Sequence, residues 1–223
     1  MCGRFVQLPL QVPEQLPWPA LATALSELTA RYNLAPTQRA AVVLDDVGNM
    51  DVQKLRWGLL PHWMKDLKQS YSTINARIET VDTKPAFRAA FKARHCVIPM
   101  RGYYEWQATP TGKQPYFIAL RDGGDLFAAG IWEPRHALQD DTEHGSCAVI
   151  TTTAEDEAGR IHDRMPVFLP ANLVDAYLHG PATEAMAVML ASPTPDLITR
   201  PVSRRVNAPK DDDPDLIEPI GLD

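Results

Sequence analysis

The sequence predicts an α+β fold in which a curled mixed β-sheet, forming an open barrel-like core, is flanked by short helices. Short apolar and aromatic runs of strand length recur along the chain, and only a few short segments show helical spacing of apolar residues. No internal repeat and no linker composition interrupts these runs. The 223 residues therefore predict one domain over residues 1–223, with an acidic, proline-punctuated tail from about residue 209.

The first 72 residues are predicted to hold one helix and one hairpin. Three leucines recur at helical spacing within residues 20–30 and predict a short helix with one apolar face. Two apolar runs around a turn at residues 46–49 predict the hairpin strands, Ala40–Asp45 and Met50–Trp57. Prolines and polar residues predict loops at residues 7–19, 31–37, 58–63 and 64–72.

The rest of the chain is rich in predicted strands. Runs of β-branched, aromatic and other apolar residues predict strands at 96–99, 103–106, 115–120, 126–132 and 147–153. The Asp122–Asp125 turn predicts that the strands on either side of it pair as a hairpin. Helices are predicted at residues 85–93 and 170–178, and a polar loop at residues 135–145.

Composition and cysteine usage exclude several classes of protein. The chain has 45% hydrophobic and 22% charged residues, no apolar run as long as a membrane span and no signal-peptide pattern. Its three cysteines are widely spaced, which argues against a disulfide framework or a cysteine-rich zinc site and favours a reducing cytoplasmic setting. Phosphate loops, dinucleotide-binding glycines, HExxH and GxSxG are absent, so no cofactor and no metal are predicted.

The charge distribution leaves a nucleic-acid partner open. The formal net charge of −6 argues mildly against such a partner. Much of the acid, however, is segregated into the clusters at residues 45–46, 140–143 and 211–213. Several arginines lie inside or beside the motifs described below, so a basic groove on an acidic body is one interpretation of the pattern.

Cysteine at position 2 gives the chain a specific chemical capability. Its small side chain is of the kind that permits removal of Met1, which would leave an α-amine and a thiol on one residue. The amine, with a pKa of about 8, and the thiol, with a pKa of about 8.5, are then both partly nucleophilic at neutral pH. Such a 1,2-aminothiol condenses with an aldehyde to an imine and closes to a thiazolidine. The alternative is that Cys2 is an unremarkable second residue.

Three further polar residues stand in apolar or aromatic surroundings. Glu105 lies between Tyr104 and Trp106, so it is either a desolvated carboxyl suited to proton transfer or a side chain that strand alternation turns to solvent. His162 is a candidate acid–base group or a structural histidine. Asn75 is a candidate site residue or an ordinary cap or turn residue.

The loop at residues 58–63 carries apolar side chains around a proline. Leu59, Leu60 and Trp63 are either ordinary core residues or side chains that wedge into or stack on bases. The second interpretation requires a nucleic-acid partner.

An ordered series of short motifs runs through almost the whole chain. The motifs are Cys2–Phe5, Arg31–Pro36, Trp57–Pro61, Asn75–Thr80, Gly102–Trp106, Lys113–Tyr116, Ala129–Glu133, Ile150–Thr152, Ile161–Pro166 and Pro201–Asn207. Each motif is modest alone, but the ordered set is highly specific. It resembles the SRAP family, whose members are called abasic-site processing proteins or SOS response-associated peptidases.

The resemblance implies a single α+β SRAP domain that crosslinks its N-terminal cysteine to abasic sites in single-stranded DNA, as a thiazolidine. The family's catalytic residues correspond to Cys2, Asn75, Glu105 and His162. Its DNA contacts correspond to Arg4, Asn33, Pro36, Trp63, Arg77 and Arg164. The chain departs from the family pattern at Met64, where some members carry a second tryptophan, and at Met100–Arg101, which is expected to alter the charge at the rim of the site.

In the mechanism that these chemical groups suggest, His162 assists opening of the abasic sugar, Asn75 holds the Cys2 end and Glu105 moves protons during imine formation and reversal. Weak lyase activity and peptidase-type processing of the protein's own N-terminus are also expected. A monomer with abasic single-stranded DNA as its partner and no membrane association is expected, in the cytoplasm, and on the nucleoid in a bacterium. The alternatives are an N-terminal-cysteine peptidase or amidase and a non-catalytic module that binds single-stranded DNA.

Overall fold

The computed structural model describes residues 2–10, 19–46, 48–67, 72–139 and 144–221. Its strands are β1 (Arg4–Gln7), β2 (Arg31–Leu34), β3 (Arg39–Asp46), β4 (Asn49–Trp57), β5 (Asn75–Arg77), β6 (His95–Met100), β7 (Gly102–Thr109), β8 (Gly112–Leu120), β9 (Leu126–Pro134), β10 (Gly145–Thr153), β11 (Arg164–Pro166) and β12 (Leu197–Pro201). Its α-helices are α1 (Pro19–Ser26), α2 (Arg88–Ala93), α3 (Asp156–Gly159), α4 (Val174–His179) and α5 (Ala182–Ala191). Within these ranges, no helix is both long enough and apolar enough to cross a membrane.

The strands form two sheets. The smaller sheet is antiparallel, in the order β12-β8-β7-β1-β2. The larger sheet is mixed, because β10 runs parallel to β4 and β5 but antiparallel to β9 and β11. Since β9 pairs with both β6 and β10, the larger sheet curls back towards itself. The predicted α+β class, with a curled mixed sheet and few short helices, is confirmed.

Strand alternation divides the apolar residues into three buried clusters. The interior cluster lies between the two sheets and combines residues such as Phe5 and Tyr103 of the smaller sheet with Val42 and Val149 of the larger one. The helix-covered cluster packs α1, α2, α4 and α5 on the other face of the larger sheet. The third cluster covers the outer face of the smaller sheet. Because the interior cluster contains Cys2, the beginning of the chain lies in the centre of the protein.

Two predictions about the strands are wrong. The strands flanking Asp122–Asp125 do not form a hairpin, since β8 pairs with β7 and β12 whereas β9 pairs with β6 and β10. The turn instead carries the chain from one sheet to the other, because a local turn signal does not determine which strand lies alongside. The predicted loop at residues 31–37 is in part β2, which forms because its backbone pairs with β1.

Other boundaries differ by smaller amounts. Helix α2 begins at Arg88 instead of residue 85, and the helix predicted at residues 170–178 divides into a 3₁₀ turn and α4. The short elements α3 and β11, as well as α5 and β12, were not predicted. The predicted loops at residues 7–19, 64–72 and 135–145, and the acidic cluster at residues 140–143, fall partly or wholly outside the described residues.

The acidic C-terminal segment packs against the smaller sheet. Val206 and Leu216 are fully buried in the third cluster, against residues of β7 and β8. The Asp212 carboxylate accepts hydrogen bonds from the backbone N–H groups of Tyr32 and Asn33, which belong to β2. These contacts hold the 3₁₀ turn at residues 204–207 beside β7, where it forms one wall of the site described next.

Candidate active site

Strand pairing brings the beginning of the chain to the middle of the fold. β1 runs antiparallel to β7, with Arg4 opposite Tyr104. Extending this register by one residue towards the N-terminus places Gly3 opposite Glu105. The Cys2 end therefore lies beside the middle of β7. Cys2 is fully buried, and its Sγ lies 3.7 Å from the carbonyl oxygen of Arg4, to which the thiol donates.

Asn75 connects the Cys2 end to the larger sheet. It is the first residue of β5, and it lies opposite Val149 of β10. Its Nδ2 donates a buried hydrogen bond of 2.7 Å to the carbonyl oxygen of Cys2. Its buried Oδ1 has no hydrogen-bond partner in the described part of the chain. Asn75 therefore lies in the core between the sheets, not at a cap or a turn.

Glu105 faces the interior of the protein. Along β7, Tyr103 belongs to the interior cluster and Tyr104 to the outer one, so alternation returns Glu105 to the side of Cys2. Glu105 is only 3% exposed. Burial raises the pKa of its carboxyl above the ordinary 4.5, and the positive charge of nearby His162 acts in the opposite direction. The desolvated carboxyl is thus confirmed, and the solvent-facing alternative is wrong.

The thiol of Cys2 is held in its neutral form. Burial raises its pKa well above the ordinary value, and the charge of the Glu105 carboxylate raises it further. The expectation of partial thiolate at neutral pH, which rested on the ordinary pKa, is therefore wrong for the buried residue. A nucleophilic sulfur at this position requires a proton acceptor nearby.

His162 approaches the same region from the larger sheet's side of the cleft. It lies in the short connection between α3 and β11 and is partly exposed. Its Nδ1 accepts a hydrogen bond of 3.0 Å from the backbone N–H of Arg164, and lies 2.8 Å from Oδ1 of Asp163. The first contact suits a lone pair on Nδ1 and the second suits a proton there, so the two contacts favour different positions of the ring proton.

A solvent-open cleft brings the two acid–base candidates together. Its volume is about 460 Å³, and its walls are Glu105, Trp106, Lys113, His162 and Asn207. The indole N–H of Trp106 donates a 2.7 Å hydrogen bond to Oδ1 of Asn207, which joins β7 to the C-terminal segment. Glu105 is thus shared between the cleft and the buried surroundings of Cys2.

Two predicted DNA contacts are engaged within the protein. Arg4 donates to Oδ1 of Asn33 at 3.0 Å and to the carbonyl oxygens of Val206 and Asn207 at 2.6 and 3.4 Å. Asn33 is fully buried, and its Nδ2 donates to three carbonyl oxygens of the C-terminal segment. Asn33 therefore has no exposed surface with which to contact DNA, whereas Arg4 is partly exposed.

Arg164 is also built into the framework. It is 8% exposed and makes a two-pronged ion pair with Glu79, with N–O distances of 2.6 and 3.0 Å. Its NH2 also donates to the carbonyl oxygen of Thr151 at 2.6 Å. The same ion pair is the main reason why the pKa of Glu79 is lowered. In this arrangement Arg164 connects β11, β10 and the 3₁₀ turn after β5.

The remaining predicted contacts lie at the surface. Trp63 is 46% exposed, Arg77 is exposed at the end of β5, and Pro36 is partly exposed. Leu59 and Leu60, in contrast, are buried core residues and cannot serve as wedges. Of the three apolar side chains considered as wedges in the loop at residues 58–63, Trp63 is the exposed one.

The two departures from the family pattern have structural explanations. Met64 is buried although the neighbouring Trp63 is exposed, so it does not form part of a wedge. Arg101 pairs with Asp125 at 2.9 Å, and both side chains are largely buried. The expected change in rim charge is wrong, because the aspartate neutralises the arginine.

The sequence did not single out four residues that the structure places around the site. Trp106, Lys113 and Asn207 line the cleft, and Tyr103 lies behind it in the interior cluster. Each lies in one of the recognised motifs, and the two-residue spacing of Tyr103 and Glu105 was the available signal for a shared strand face. In the described chain, no group of three or more His, Cys, Asp or Glu is arranged to hold a metal ion.

Comparisons with known proteins agree with this fold and these motifs. The family model described as SOS response associated peptidase (SRAP) matches residues 1–209. The chain is 36% identical over 191 residues to the abasic site processing protein YoqW of Bacillus subtilis, covering 84% of this chain and 85% of that protein. It is 26% identical over 234 residues to the abasic site processing protein YedK of Escherichia coli, covering 99% and 100%. A crystal structure of a Bacteroides thetaiotaomicron protein matches with a TM-score of 0.76 at 22% identity, over 98% of this chain and all of that one, which shows the shared fold.

The buried carboxyl predicts a specific pH dependence of stability. The folded-state pKa of Glu105 lies above the unfolded-state value, so its contribution is fully present below pH 4.5 and is lost as the pH rises through the folded-state pKa. Relative to Glu105→Gln, the parent should therefore lose free energy of unfolding as the pH rises from 4.5. Denaturant titrations across pH measure this difference, with Glu218→Gln as the exposed control. A difference that stays constant or grows in the parent's favour would contradict the assignment.

Proposed function

Because this chain belongs to the SRAP family, we propose that it processes abasic sites in DNA by capturing them covalently on Cys2. The relatives YoqW and YedK both carry the name abasic site processing protein. The observation that carries the proposal is the buried hydrogen bond from Asn75 to the Cys2 carbonyl, beside the buried carboxyl of Glu105. The other polar atom of this amide, the buried Oδ1 of Asn75, has no hydrogen-bond partner in the described residues; this costs stability and favours a functional role.

The proposed active form is a single domain of residues 1–223 that acts as a monomer after Met1 has been removed. Its substrate is single-stranded DNA with an abasic site, and its setting is the reducing cytoplasm, at the nucleoid if the cell is bacterial. Removal of Met1 is essential to the proposal, because only then does Cys2 carry a free amine next to its thiol.

The first step is opening of the abasic sugar. An abasic deoxyribose is mainly a closed hemiacetal, and only its open form presents an aldehyde. Opening requires a proton to leave the hydroxyl and another to reach the ring oxygen. His162 supports this step because it lines the cleft and because its imidazole can both accept and donate a proton.

The second step is attack of the Cys2 amine on the aldehyde carbon. Asn75 holds the carbonyl group of Cys2 by a hydrogen bond, and this restricts the orientations of the amine on the same residue. Such positioning lowers the free-energy barrier to attack by several kcal/mol. The carbinolamine then expels water, which needs a proton. Glu105 retains its proton to a higher pH than an ordinary glutamate and therefore suits the role of acid.

The third step is closure of the ring. The thiol loses its proton, sulfur bonds to the carbon of the protonated imine, and the π pair of the C=N bond moves to nitrogen, which keeps its proton and becomes the N–H of a thiazolidine. Glu105, deprotonated in the previous step, is the nearby acceptor for the thiol proton. The same carboxyl can return a proton to the ring for reversal. An imine that persists before closure can undergo β-elimination, which accounts for weak lyase activity.

DNA is proposed to follow the exposed cations and aromatic side chains around the cleft. Arg77 and Trp63 are exposed, and Lys113 lines the cleft. Arg4 adds charge, because its hydrogen-bond partners in the described residues are neutral oxygens. Asn33 and Arg164 are proposed to act indirectly, by holding the walls of the site.

The peptidase alternative receives less support. A cysteine peptidase needs a sulfur that is readily ionised, whereas burial raises the pKa of the Cys2 thiol. Peptidase-type activity is therefore proposed only for processing of the protein's own N-terminus. A non-catalytic binding module would not need the buried contact between Asn75 and Cys2.

Covalent capture is tested with a single-stranded oligonucleotide that carries one abasic site. The parent should form an adduct that survives denaturing gels, and Cys2→Ala should form at most an imine that requires borohydride for trapping. A retained N-terminal tag should block both, because the amine is then an amide. Cys147→Ala, which removes a different buried thiol, is the matched control and should crosslink. Robust crosslinking by the tagged protein would refute the proposal.

The acid–base role of His162 predicts a defect in rate. His162→Ala should slow adduct formation at saturating DNA by about 10²–10⁴-fold, because opening the sugar then lacks a proton-transfer group. His179→Ala removes a histidine of α4 whose ring lies beside the carboxylates of Asp45 and Asp175 and does not line the cleft, so it should leave the rate unchanged. Single-turnover crosslinking measures both variants. If His162→Ala merely weakens DNA binding, the catalytic assignment is wrong.

The two arginines near β5 should behave in opposite ways. Arg77→Ala should lower the slope of log Kd against log salt by about 0.7–1 and leave the Tm unchanged, because an exposed cation contacts phosphate. Arg164→Ala should lower the Tm, since Glu79 and the Thr151 carbonyl lose their donor, at a cost of about 1–3 kcal/mol. Binding titrations at several salt concentrations and thermal melts separate the two. An unchanged Tm for Arg164→Ala would contradict its framework role.

A further inference from the structure

The Tyr103 hydroxyl is a buried polar group without a structural function. Tyr103 is fully buried in the interior cluster that also contains Cys2, and its ring packs 5.9 Å from that of Phe168. Its phenol oxygen has no hydrogen-bond partner among the residues that the structure describes. Leaving such a group unsatisfied destabilises the folded state, and a phenylalanine would fill the same space without that cost.

Other buried tyrosines of the fold are satisfied. The hydroxyl of Tyr104 donates to the carbonyl oxygen of Tyr32 at 2.8 Å, and that of Tyr177 donates to the carbonyl oxygen of Gly130 at 2.7 Å. The hydroxyl of Tyr103 thus differs from these two buried hydroxyls, because it has no hydrogen-bond partner among the described residues. This exception is explained if the Tyr103 hydroxyl gains a hydrogen-bond partner only during the reaction.

The surroundings of the hydroxyl indicate where that partner arises. Tyr103 and Glu105 share one face of β7, and the β1–β7 register sets Phe5, three residues after Cys2, opposite Tyr103. Burial raises the pKa of the phenol well above its ordinary value, and the charges of Cys2 and Glu105 raise it further. The phenol therefore stays protonated and is available as a hydrogen-bond donor.

Asn75 shows the same unused capacity on another side of Cys2. Its Nδ2 is bound to the Cys2 carbonyl, while its buried Oδ1 has no partner in the described part of the structure. Two buried polar atoms with spare hydrogen-bond capacity thus surround one residue whose own groups change during the proposed reaction. A donor at Tyr103 and an acceptor at Asn75 complement a sulfur that becomes negative and a nitrogen that carries hydrogen.

We propose that the Tyr103 hydroxyl donates a hydrogen bond to the Cys2 sulfur while the thiazolidine ring closes, an inference that rests on the proposed covalent capture. As the thiol proton leaves for Glu105, negative charge develops on sulfur in a buried space. The S–C bond then forms, and the π pair of the protonated imine moves to nitrogen, which keeps its proton, so no oxidant or reductant is consumed. A hydrogen-bond donor in a fixed position stabilises the negative charge on sulfur in a site that excludes water.

This role predicts an unusual combination of effects for Tyr103→Phe. The DNA-free variant should have an unchanged or higher Tm, because it loses a hydroxyl that makes no hydrogen bond in the fold. Imine formation should proceed at the parental rate, and ring closure should slow about tenfold, which is the effect of losing one hydrogen bond to a charged group. The imine should consequently accumulate.

The experiment follows both steps in the full chain with Met1 removed. The protein is mixed with excess single-stranded oligonucleotide bearing one abasic site, and samples are quenched with borohydride at successive times. Intact-mass measurement separates the trapped imine from the thiazolidine, since reduction adds two hydrogens to the imine only. Tyr177→Phe is the matched control, because it removes a satisfied buried phenol and should lower the Tm without slowing closure.

The outcomes distinguish this inference from the proposed function. A parent that forms no adduct overturns covalent capture and this inference with it. A parent that crosslinks, beside a Tyr103→Phe variant that closes within about twofold of the parental rate, overturns only the hydrogen bond to sulfur. A lower Tm with both steps slowed equally assigns Tyr103 a structural role and also overturns the inference.

Discussion

The pairing of β1 between β2 and β7 is the constraint on which the site depends. Chain termini usually fray, and a reactive group on a frayed terminus would sample many positions. Here the strand that begins at Arg4 lies inside a sheet, and Phe5 is fully buried between the two sheets. Cys2 is therefore two residues from a fixed strand, and the hydrogen bond from Asn75 fixes the second residue as well. A terminal residue held in this way is positioned as precisely as a residue inside a strand, and it keeps the reactive groups of a chain end.

Burial explains the order of the proposed reaction. Cys2, Tyr103 and Glu105 share one region, and burial raises the pKa of all three, so each favours its neutral form. A neutral thiol is a poor nucleophile, which leaves the first attack to the amine. Once the imine has formed, its carbon is electrophilic enough for the sulfur to attack as its proton leaves. The neutral thiol thus limits unwanted reactions of the free protein, and the substrate itself provides the electrophile that makes sulfur reactive.

The sequence predicts the fold class and the chemistry better than the pairing of strands. Periodicity and turn residues located most of the strands, because those signals are local. They could not show that the strands on either side of Asp122–Asp125 belong to different sheets, since β8 pairs with the preceding β7, whereas β9 pairs with β6, which comes before both of them in the chain. Motifs brought Asn75, Glu105 and His162 to attention, but only the folded chain shows that Asn33 and Arg164 are engaged within the protein. A sequence motif indicates that a residue is important, but it does not show which neighbouring groups that residue contacts.

Hydrogen-bonding capacity and charge are separate properties of the buried arginines, and the difference decides which of them can attract DNA. Arg164 and Arg101 are paired with the carboxylates of Glu79 and Asp125, which cancel their charge at a distance. Arg4 also donates several hydrogen bonds, yet its acceptors are an amide oxygen and two backbone carbonyls. Its donors are used for the framework, and within the described residues no carboxylate pairs with its positive charge, which lies two residues from Cys2. On a chain with a net charge of −6, such a local charge beside the reactive residue favours approach of a phosphate backbone to the site itself and not to the rest of the surface.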